Sequence, residues 1–227
     1  LGTCIKIFPA AAGSALLFHP RKARYVLLCV AGGAIMLLAP LLVTSPAVLL
    51  QQYAWWHAVE SKDALDRMYS VMQQVHLWLG VDWPNWPQQL AGVVLLLLPV
   101  ALRRSRLGER AFQQLFLASL LMFCVLFNHQ SESPTFVIAV CGVALWFLAT
   151  PRSAATWALL AFVFVGTTLV KSDVMPRAWQ RAFFDPTYFK TVPVLVTWVV
   201  TQVQLWRAPS AHAEVHELDV AAREPGT

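Results

Sequence analysis

The chain has 227 residues, of which 58% are hydrophobic and only 13% are charged, a balance that excludes an ordinary soluble globular domain. Its formal net charge is +5, but the basic residues are spread over alternate connections between apolar runs, so the charge does not support nucleic-acid binding. The composition therefore predicts an integral membrane protein whose main partner is the lipid bilayer.

Apolar runs of helix length follow one another along the chain. They predict an all-α, polytopic helical integral membrane protein with about seven transmembrane helices within residues 1–206, at 1–18, 25–50, 88–102, 111–127, 135–150, 154–170 and 192–206. Residues 207–227 lose the apolar pattern and carry mixed charge, which is typical of a disordered tail.

The first apolar run contains one charged residue, Lys6, and has no start methionine. A helix from Phe18 back to Lys6 is roughly 18 Å long, so the ammonium is expected near the middle of the hydrocarbon layer. A charge at that depth indicates a functional site facing a protein interior or a wet cavity. The alternative is a lysine that snorkels outward from a truncated helix. Because an apolar helix begins at Leu1, we expect a longer membrane protein of which this chain is the C-terminal part.

Lysine and arginine residues orient the predicted spans. By the positive-inside rule, the connections richest in these residues face the cytoplasm, and they contain Arg21, Lys22, Arg24, Arg103, Arg104, Arg106, Arg110, Arg152 and Arg207. The opposite connections are longer and mixed in sign. We therefore expect those connections outside and the tail in the cytoplasm.

The external connection at residues 51–87 has a helical pattern of its own. Apolar residues recur at helical spacing from Leu65 to Leu79, while Asp63 and Arg67 are spaced for an i to i+4 ion pair on the other face. This pattern predicts an external amphipathic segment at about residues 58–80 that lies on the outer leaflet or roofs a cavity between spans.

Tryptophans gather near the predicted helix ends, where one face of an indole is apolar and its N–H is wet. An interfacial aromatic belt explains this placement better than sugar stacking for Trp55, Trp56, Trp78, Trp83, Trp86, Trp179 and Trp206. The segment Trp83-Pro84-Asn85-Trp86-Pro87 is the exception, because its prolines make a rigid platform at the mouth of a helix. Sugar stacking stays open there.

The cysteines all lie within apolar runs. We therefore expect no disulfide and interpret Cys4, Cys29, Cys124 and Cys141 as small buried hydrophobic residues. His212 and His216 have a metal-like spacing in the tail. Because further ligands do not accompany them, the sequence predicts no metal site.

Two external segments carry candidate chemistry. The short link 128–134 holds His129 and Glu132, which are suited to binding a hydroxyl-rich acceptor or a phosphate, with a solvated turn as the alternative. The second segment, residues 171–193, mixes aromatic side chains with basic ones and contains Lys171, Asp173, Arg177, Arg181 and Lys190. This composition favours phosphate binding or anchoring to lipid headgroups.

Several motifs together resemble the C-terminal half of glycosyltransferase family 87. They are Gly2-Thr3-Cys4-Ile5-Lys6-Ile7-Phe8-Pro9 before a basic turn, Ser131-Glu132-Ser133-Pro134-Thr135, Ser172-Asp173 with Pro176-Arg177, and Lys190-Thr191-Val192-Pro193. The resemblance implies the C-type glycosyltransferase fold in a bacterial-type plasma (inner) membrane. It also implies transfer of a hexose, such as mannose, from a polyprenyl-phosphate-linked sugar, which is the donor substrate, to an extracytoplasmic glycan or glycolipid acceptor, at a site that is either cationic or metal-assisted.

The resemblance also implies roles for particular residues. The donor phosphate would be bound by Lys6, Lys171, Arg177, Arg181 and Lys190, and the acceptor or polar loop would involve His129, Glu132 and Asp173. In that family the catalytic aspartate lies in the N-terminal half, so we expect the general base upstream of Leu1, with Glu132 as the fallback, and an inactive fragment. A transporter or flippase half and a non-catalytic scaffold subunit are the alternatives.

Overall fold

The computed structural model describes residues 13, 14, 18, 21–63 and 66–207. Every regular element in these ranges is helical and none is a strand, so the predicted all-α class is confirmed. The helices are α1 (Lys22–Leu38), α2 (Pro46–Asp63), α3 (Val71–Leu79), α4 (Asn85–Leu102), α5 (Arg110–Leu126), α6 (Phe136–Ala149), α7 (Ala154–Val163), α8 (Arg177–Trp179) and α9 (Thr191–Arg207). Lys6 and residues 208–227 of the predicted tail lie outside the described residues.

Short turns of other helical types join or extend these helices. The helices α7 and α8 continue directly into π-helical turns at Phe164–Leu169 and Gln180–Phe184. Turns of 3₁₀ helix occur at Ala39–Leu42, Arg104–Arg106 and Ser133–Thr135. From residue 88 onward, each apolar run that was predicted as a span corresponds to a helix, or to a helix with its π-helical extension, with nearly the predicted bounds.

The prediction of one uninterrupted helix at residues 25–50 is wrong. The helix α1 ends at Leu38, a 3₁₀ turn follows, and α2 begins at Pro46. Proline has no backbone N–H to continue a helical hydrogen-bond pattern, and two prolines stand at these boundaries. The Pro40 carbonyl accepts from the backbone N–H groups of Val43 and Thr44, both at 3.0 Å, and from the Thr44 hydroxyl at 3.1 Å, and these bonds close a local turn at Pro40.

The predicted amphipathic segment contains a shorter helix than its apolar spacing indicated. The helix α3 begins only at Val71, after a turn in which Met68 has a φ of 33°. The Ser70 hydroxyl caps α3 by accepting from the backbone N–H of Gln73 at 3.4 Å, and the helix ends at Gly80, whose φ is 65°. The predicted Asp63 to Arg67 pair on one helix face is therefore wrong, because residue 67 is not helical.

The core lies among α5, α6 and α9. Its largest fully buried side chains include Phe112, Phe116, Phe136 and Trp146. A glycine allows α5 and α6 to approach closely, because a Cβ at Gly142 would lie 2.8 Å from the Ala118 carbonyl oxygen.

Some buried polar side chains of this core pair with one another, while the Gln202 amide oxygen and the Trp198 indole nitrogen are buried without a partner among the described residues. The Gln202 amide donates to the Ser119 hydroxyl at 2.6 Å, and the Trp146 indole donates to the Gln204 amide oxygen at 2.9 Å. An unpaired polar group costs several kcal/mol in an apolar interior, so these bonds fix the positions of α5, α6 and α9 relative to one another.

Two stretches of the described chain are long and apolar enough to cross a membrane by length and composition. They are Lys22–Leu42, with a mean hydropathy of 2.3, and α4, with 1.3. Shorter apolar stretches occur at Arg110–Leu126, Ser133–Ala149 and Ala154–Leu169.

Cysteine burial differs from the prediction. Cys29 and Cys141 are exposed, so the prediction is wrong for these two residues. Cys29 lies on α1, which buries no residue at all, and Cys141 lies on a face of α6 turned away from the core. Cys124 is half-buried, and Cys4 lies outside the described residues.

Candidate functional site

Three connections between helices meet at one end of the helical body. The turn before α3 bonds to the link before α6, because the Tyr69 backbone N–H donates to the Ser131 carbonyl at 3.1 Å. The connection before α9 is attached to α3, because the Gln74 amide donates to the carbonyls of Thr187 and Tyr188 at 3.2 and 3.1 Å. Segments that are distant in the sequence thus form one polar surface.

Lys190 is the most unusual residue of this surface. Its side chain is only 8% exposed, and its ammonium donates to the Ser133 carbonyl at 2.9 Å and the Ser133 hydroxyl at 2.8 Å. The Nζ atom also lies 5.0 Å from the centre of the Phe136 ring. Among the described residues, no carboxylate lies within ion-pair distance of Lys190. Burial lowers the pKa of Lys190 below its ordinary value, and the charge of Lys171 lowers it further.

Lys171 supplies a second ammonium close to the first. It forms an ion pair with Asp185, and its Nζ atom lies 5.7 Å from the centre of the Tyr69 ring. Burial lowers the pKa of Lys171, but the hydrogen bonds to Asp185 and Tyr69 and the charges of these two groups together raise it by more, so the net pKa lies above the ordinary value. The two lysines and one aspartate leave one positive charge without a carboxylate partner.

Aromatic rings form the frame around the lysines. The Tyr69 ring contacts Phe136 and Tyr188 edge to face, with centroid distances of 6.1 and 5.2 Å. Two residues of this region have left-handed backbones, which are rare outside glycine. They are Met68, directly before Tyr69, with a φ of 33°, and Tyr188 itself, with a φ of 48°. Such conformations cost roughly 1 to 3 kcal/mol each and cluster at functional sites.

The other predicted phosphate-binding residues do not join this cluster. Arg177 and Arg181 are exposed and lie on α8 and the π-helical turn after it. Glu132 and Asp173 are also exposed. Of the predicted phosphate ligands, the structure brings together Lys171 and Lys190, while Lys6 lies outside the described residues.

His129 is held by the first turn of α4. The Gln89 amide nitrogen lies 3.2 Å from the Phe127 carbonyl and 3.3 Å from His129 Nδ1. With the amide as donor to both, Nδ1 of His129 is the acceptor. His129 Nε2 is buried without a hydrogen-bond partner among the described residues. Because this nitrogen is fully buried, it is not open to a ligand in this structure.

No protein-family model matches this sequence, and comparisons with curated proteins and with solved structures give no match either. The described residues contain no group of three His, Cys, Asp or Glu side chains able to hold a metal ion. The chemistry of the site therefore has to be inferred from its own residues.

Sequence reasoning missed the residues that position the lysines. Ser133 and Tyr69 contact the two ammonium groups, but neither residue type is diagnostic of anion binding. It also missed the contacts of Asp82 with Arg67 and His76, at 2.8 and 3.0 Å. The sequence position of Asp82 could have indicated these contacts, because Asp82 is an acidic residue directly before the segment Trp83-Pro84-Asn85-Trp86-Pro87.

Proposed function

We propose that this chain is the lipid-phosphate-binding part of a membrane glycosyltransferase of the hexosyl or mannosyl type. It would move a sugar from a polyprenyl-phosphate donor to a glycan or glycolipid acceptor on the extracytoplasmic side. The observation that carries the proposal is the buried Lys190 ammonium, which has neutral hydrogen-bond partners and lacks a carboxylate partner among the described residues.

Phosphate fits the remaining binding capacity of Lys190. An ammonium has three N–H donors, and the two hydrogen bonds to Ser133 leave one for a ligand. A buried cation is costly unless an anion compensates it, and Lys171 adds to the positive potential at the same place. The departing polyprenyl phosphate gains negative charge as the sugar leaves, so both ammonium groups would stabilise the transition state.

We further propose that the protein crosses a bacterial-type inner membrane with about seven transmembrane helices. The site of Lys171 and Lys190 would lie outside, and the tail would lie in the cytoplasm. The length and hydropathy of Lys22–Leu42 and α4 support it. The shorter α5, with 17 residues, is roughly 25 Å long at ~1.5 Å per residue, which approaches the ~30 Å hydrocarbon thickness.

The exposed polar residues near the lysines have other roles in this proposal. Arg177 and Arg181 would contact lipid headgroups or the outer part of the donor, because both are exposed. The general base would lie upstream of Leu1, with the exposed Glu132 as the fallback.

Substitution of the lysines in the full-length protein tests this function. Lys190→Met, Lys171→Met and the control Lys62→Met, an exposed residue on α2, would be assayed for transfer from polyprenyl-phosphate mannose and polyprenyl-phosphate glucose. We expect Lys190→Met to lower donor affinity or turnover by about 10- to 100-fold, because one charge-assisted hydrogen bond contributes roughly 1.5 to 3 kcal/mol. Lys62→Met should leave both unchanged.

Folding is checked in parallel by thermal unfolding in detergent. If Lys190→Met does not fold, Lys190→Arg and Ser133→Ala provide the test, since both keep a positive charge and should lose activity only in part. Equal donor affinity and transfer in Lys190→Met and Lys62→Met would overturn the proposal.

A further inference from the structure

Asp82 is a carboxylate held in place but left largely open to solvent. Arg67 Nη1 donates to its Oδ1 atom at 2.8 Å, and His76 Nδ1 lies 3.0 Å from the same oxygen. The side chain of Asp82 is nevertheless 76% exposed. Both contacts use Oδ1, so Oδ2 is oriented while it keeps its capacity to accept hydrogen bonds from a ligand.

The same arginine also positions the neighbouring tryptophan. Arg67 Nη2 donates to the Trp83 carbonyl at 3.5 Å, which couples the backbone of Trp83 to the carboxylate of Asp82. The indole of Trp83 is 55% exposed. Pro84 follows directly and fixes its own φ, and the buried Asn85 amide donates to the Asp66 carbonyl at 2.7 Å.

The surface therefore combines two features that carbohydrates require. A broad, exposed indole whose backbone is bonded to Arg67 provides an apolar face for the C–H groups of a pyranose ring. A fixed carboxylate oxygen beside it accepts hydrogen bonds from sugar hydroxyls, and hydrogen bonds to charged groups are the stronger kind. Trp78 at the end of α3 and Trp86 at the start of α4 are also exposed.

We propose that Trp83 and Asp82, positioned by Arg67 and His76, form a binding subsite for a hexopyranose of a glycan. An aromatic belt at a membrane surface needs exposed indoles, but it does not need a carboxylate oriented by both an arginine and a histidine. The arrangement of Asp82 thus favours a sugar over a lipid headgroup, whose phosphate this carboxylate would repel.

The identity of the glycan bound at the subsite is inferred from the connection of the subsite to the lysine site along the chain. Arg67, which orients Asp82, lies two residues before Tyr69, whose ring contacts Lys171. The Cα atoms of residues 67 and 69 are at most about 7 Å apart, so one short turn contributes a residue to each of the two sites. That its glycan is the sugar acceptor rests on the proposed function, whereas sugar binding itself does not.

Equilibrium binding to the full-length protein in lipid nanodiscs tests the subsite without any transfer reaction. The probes are mannose, glucose and galactose oligosaccharides, and the readout is quenching of tryptophan fluorescence, confirmed by calorimetry. We expect Trp83→Leu and Asp82→Asn to weaken binding of the preferred oligosaccharide by at least about tenfold. Trp56→Leu is the matched control, because Trp56 is also 55% exposed, and it should leave binding unchanged.

The outcomes separate the two proposals. Absence of binding to every oligosaccharide, or equal binding in Trp83→Leu and Trp56→Leu, overturns the sugar subsite. If the Asp82→Asn variant does not fold, oligosaccharide binding by the Trp83→Leu variant provides the test of the subsite. Lys190→Met should bind the oligosaccharide normally while losing polyprenyl-phosphate affinity. Sugar binding in a protein whose Lys190→Met variant keeps full donor affinity would refute only the lysine site.

Discussion

Gly92 allows a close approach that a single methyl group would destroy. A Cβ atom at this position of α4 would lie 2.3 Å from Phe127 Cδ1 and 2.4 Å from Phe127 Cε1. Carbon atoms normally approach only to about 3.5 Å, so Gly92→Ala requires the ring to move by more than about 1 Å. The ring has little room, because it stacks on Phe123 at 4.9 Å and meets Trp198 edge to face at 5.2 Å.

The size of the effect follows from two opposing contributions. Overpacking a rigid contact costs about 1 to 3 kcal/mol, whereas replacing glycine by alanine within a helix contributes about 0.5 to 1 kcal/mol of stability. We expect Gly92→Ala to lower the free energy of unfolding by about 1 to 2 kcal/mol, which is roughly a 5- to 30-fold change in the folded to unfolded ratio.

Reversible unfolding in detergent, followed by tryptophan fluorescence, measures this change. Gly33→Ala on α1 is the control, because a Cβ there meets nothing within 4 Å, and it should be neutral or stabilising. Phe127→Leu removes the obstructing ring, so Gly92→Ala should cost less in that background, with a coupling of about 0.5 to 3 kcal/mol. Gly92→Ala at wild-type stability with no coupling to Phe127→Leu would refute the reasoning.

Three further predictions follow from individual contacts. Ser70→Ala removes the cap of α3 and should cost about 0.5 to 2 kcal/mol in chemical unfolding, and no loss would show that the 3.4 Å bond to Gln73 contributes nothing. The hydrogen bond from Arg67 and then the charge of His76 lower the pKa of Asp82. Asp82 therefore stabilises the fold above its ordinary pKa of 3.8, and this contribution disappears as the pH falls through the lowered value. Acid titration of unfolding should be shallower in Asp82→Asn, and identical curves would contradict this. Burial lowers the pKa of Lys190, so polyprenyl-phosphate affinity should fall with rising pH at a pH below 10.5. Lys190→Arg should not show this fall, and parallel pH profiles would refute it.

The apolar periodicity predicted most helices because it depends on local sequence. The bounds of α5, α6 and α9 lie close to the apolar runs that predicted them. The apolar periodicity was misleading near Pro40 and Pro46, because apolar residues continue through a region in which one helix ends and the next begins. It was also misleading near Met68, because the helical spacing continues through a residue with a left-handed backbone. Hydrophobic spacing reports which residues avoid water, but it does not report where the backbone stops donating hydrogen bonds.

The site was predicted in part for the same reason. Lys171 and Lys190 were found because cations among aromatic residues are visible in sequence. The arrangement that distinguishes Lys190 from Arg177 and Arg181 depends on Ser133, which lies 57 positions away along the chain. Burial and partner geometry of that kind come from tertiary packing, so the sequence pattern did not distinguish buried cations from exposed ones.

The bond from Gln74 to the Thr187 carbonyl joins residues separated by 113 positions, and this separation matters during synthesis. At about 5 to 20 residues per second, α3 leaves the ribosome roughly 6 to 20 s before its partner exists. Until then, α3 and the turn that carries Tyr69 lack this attachment and are exposed to proteases and chaperones. A nascent chain halted before residue 187 should therefore be cleaved at residues 66–80 far faster than the finished protein.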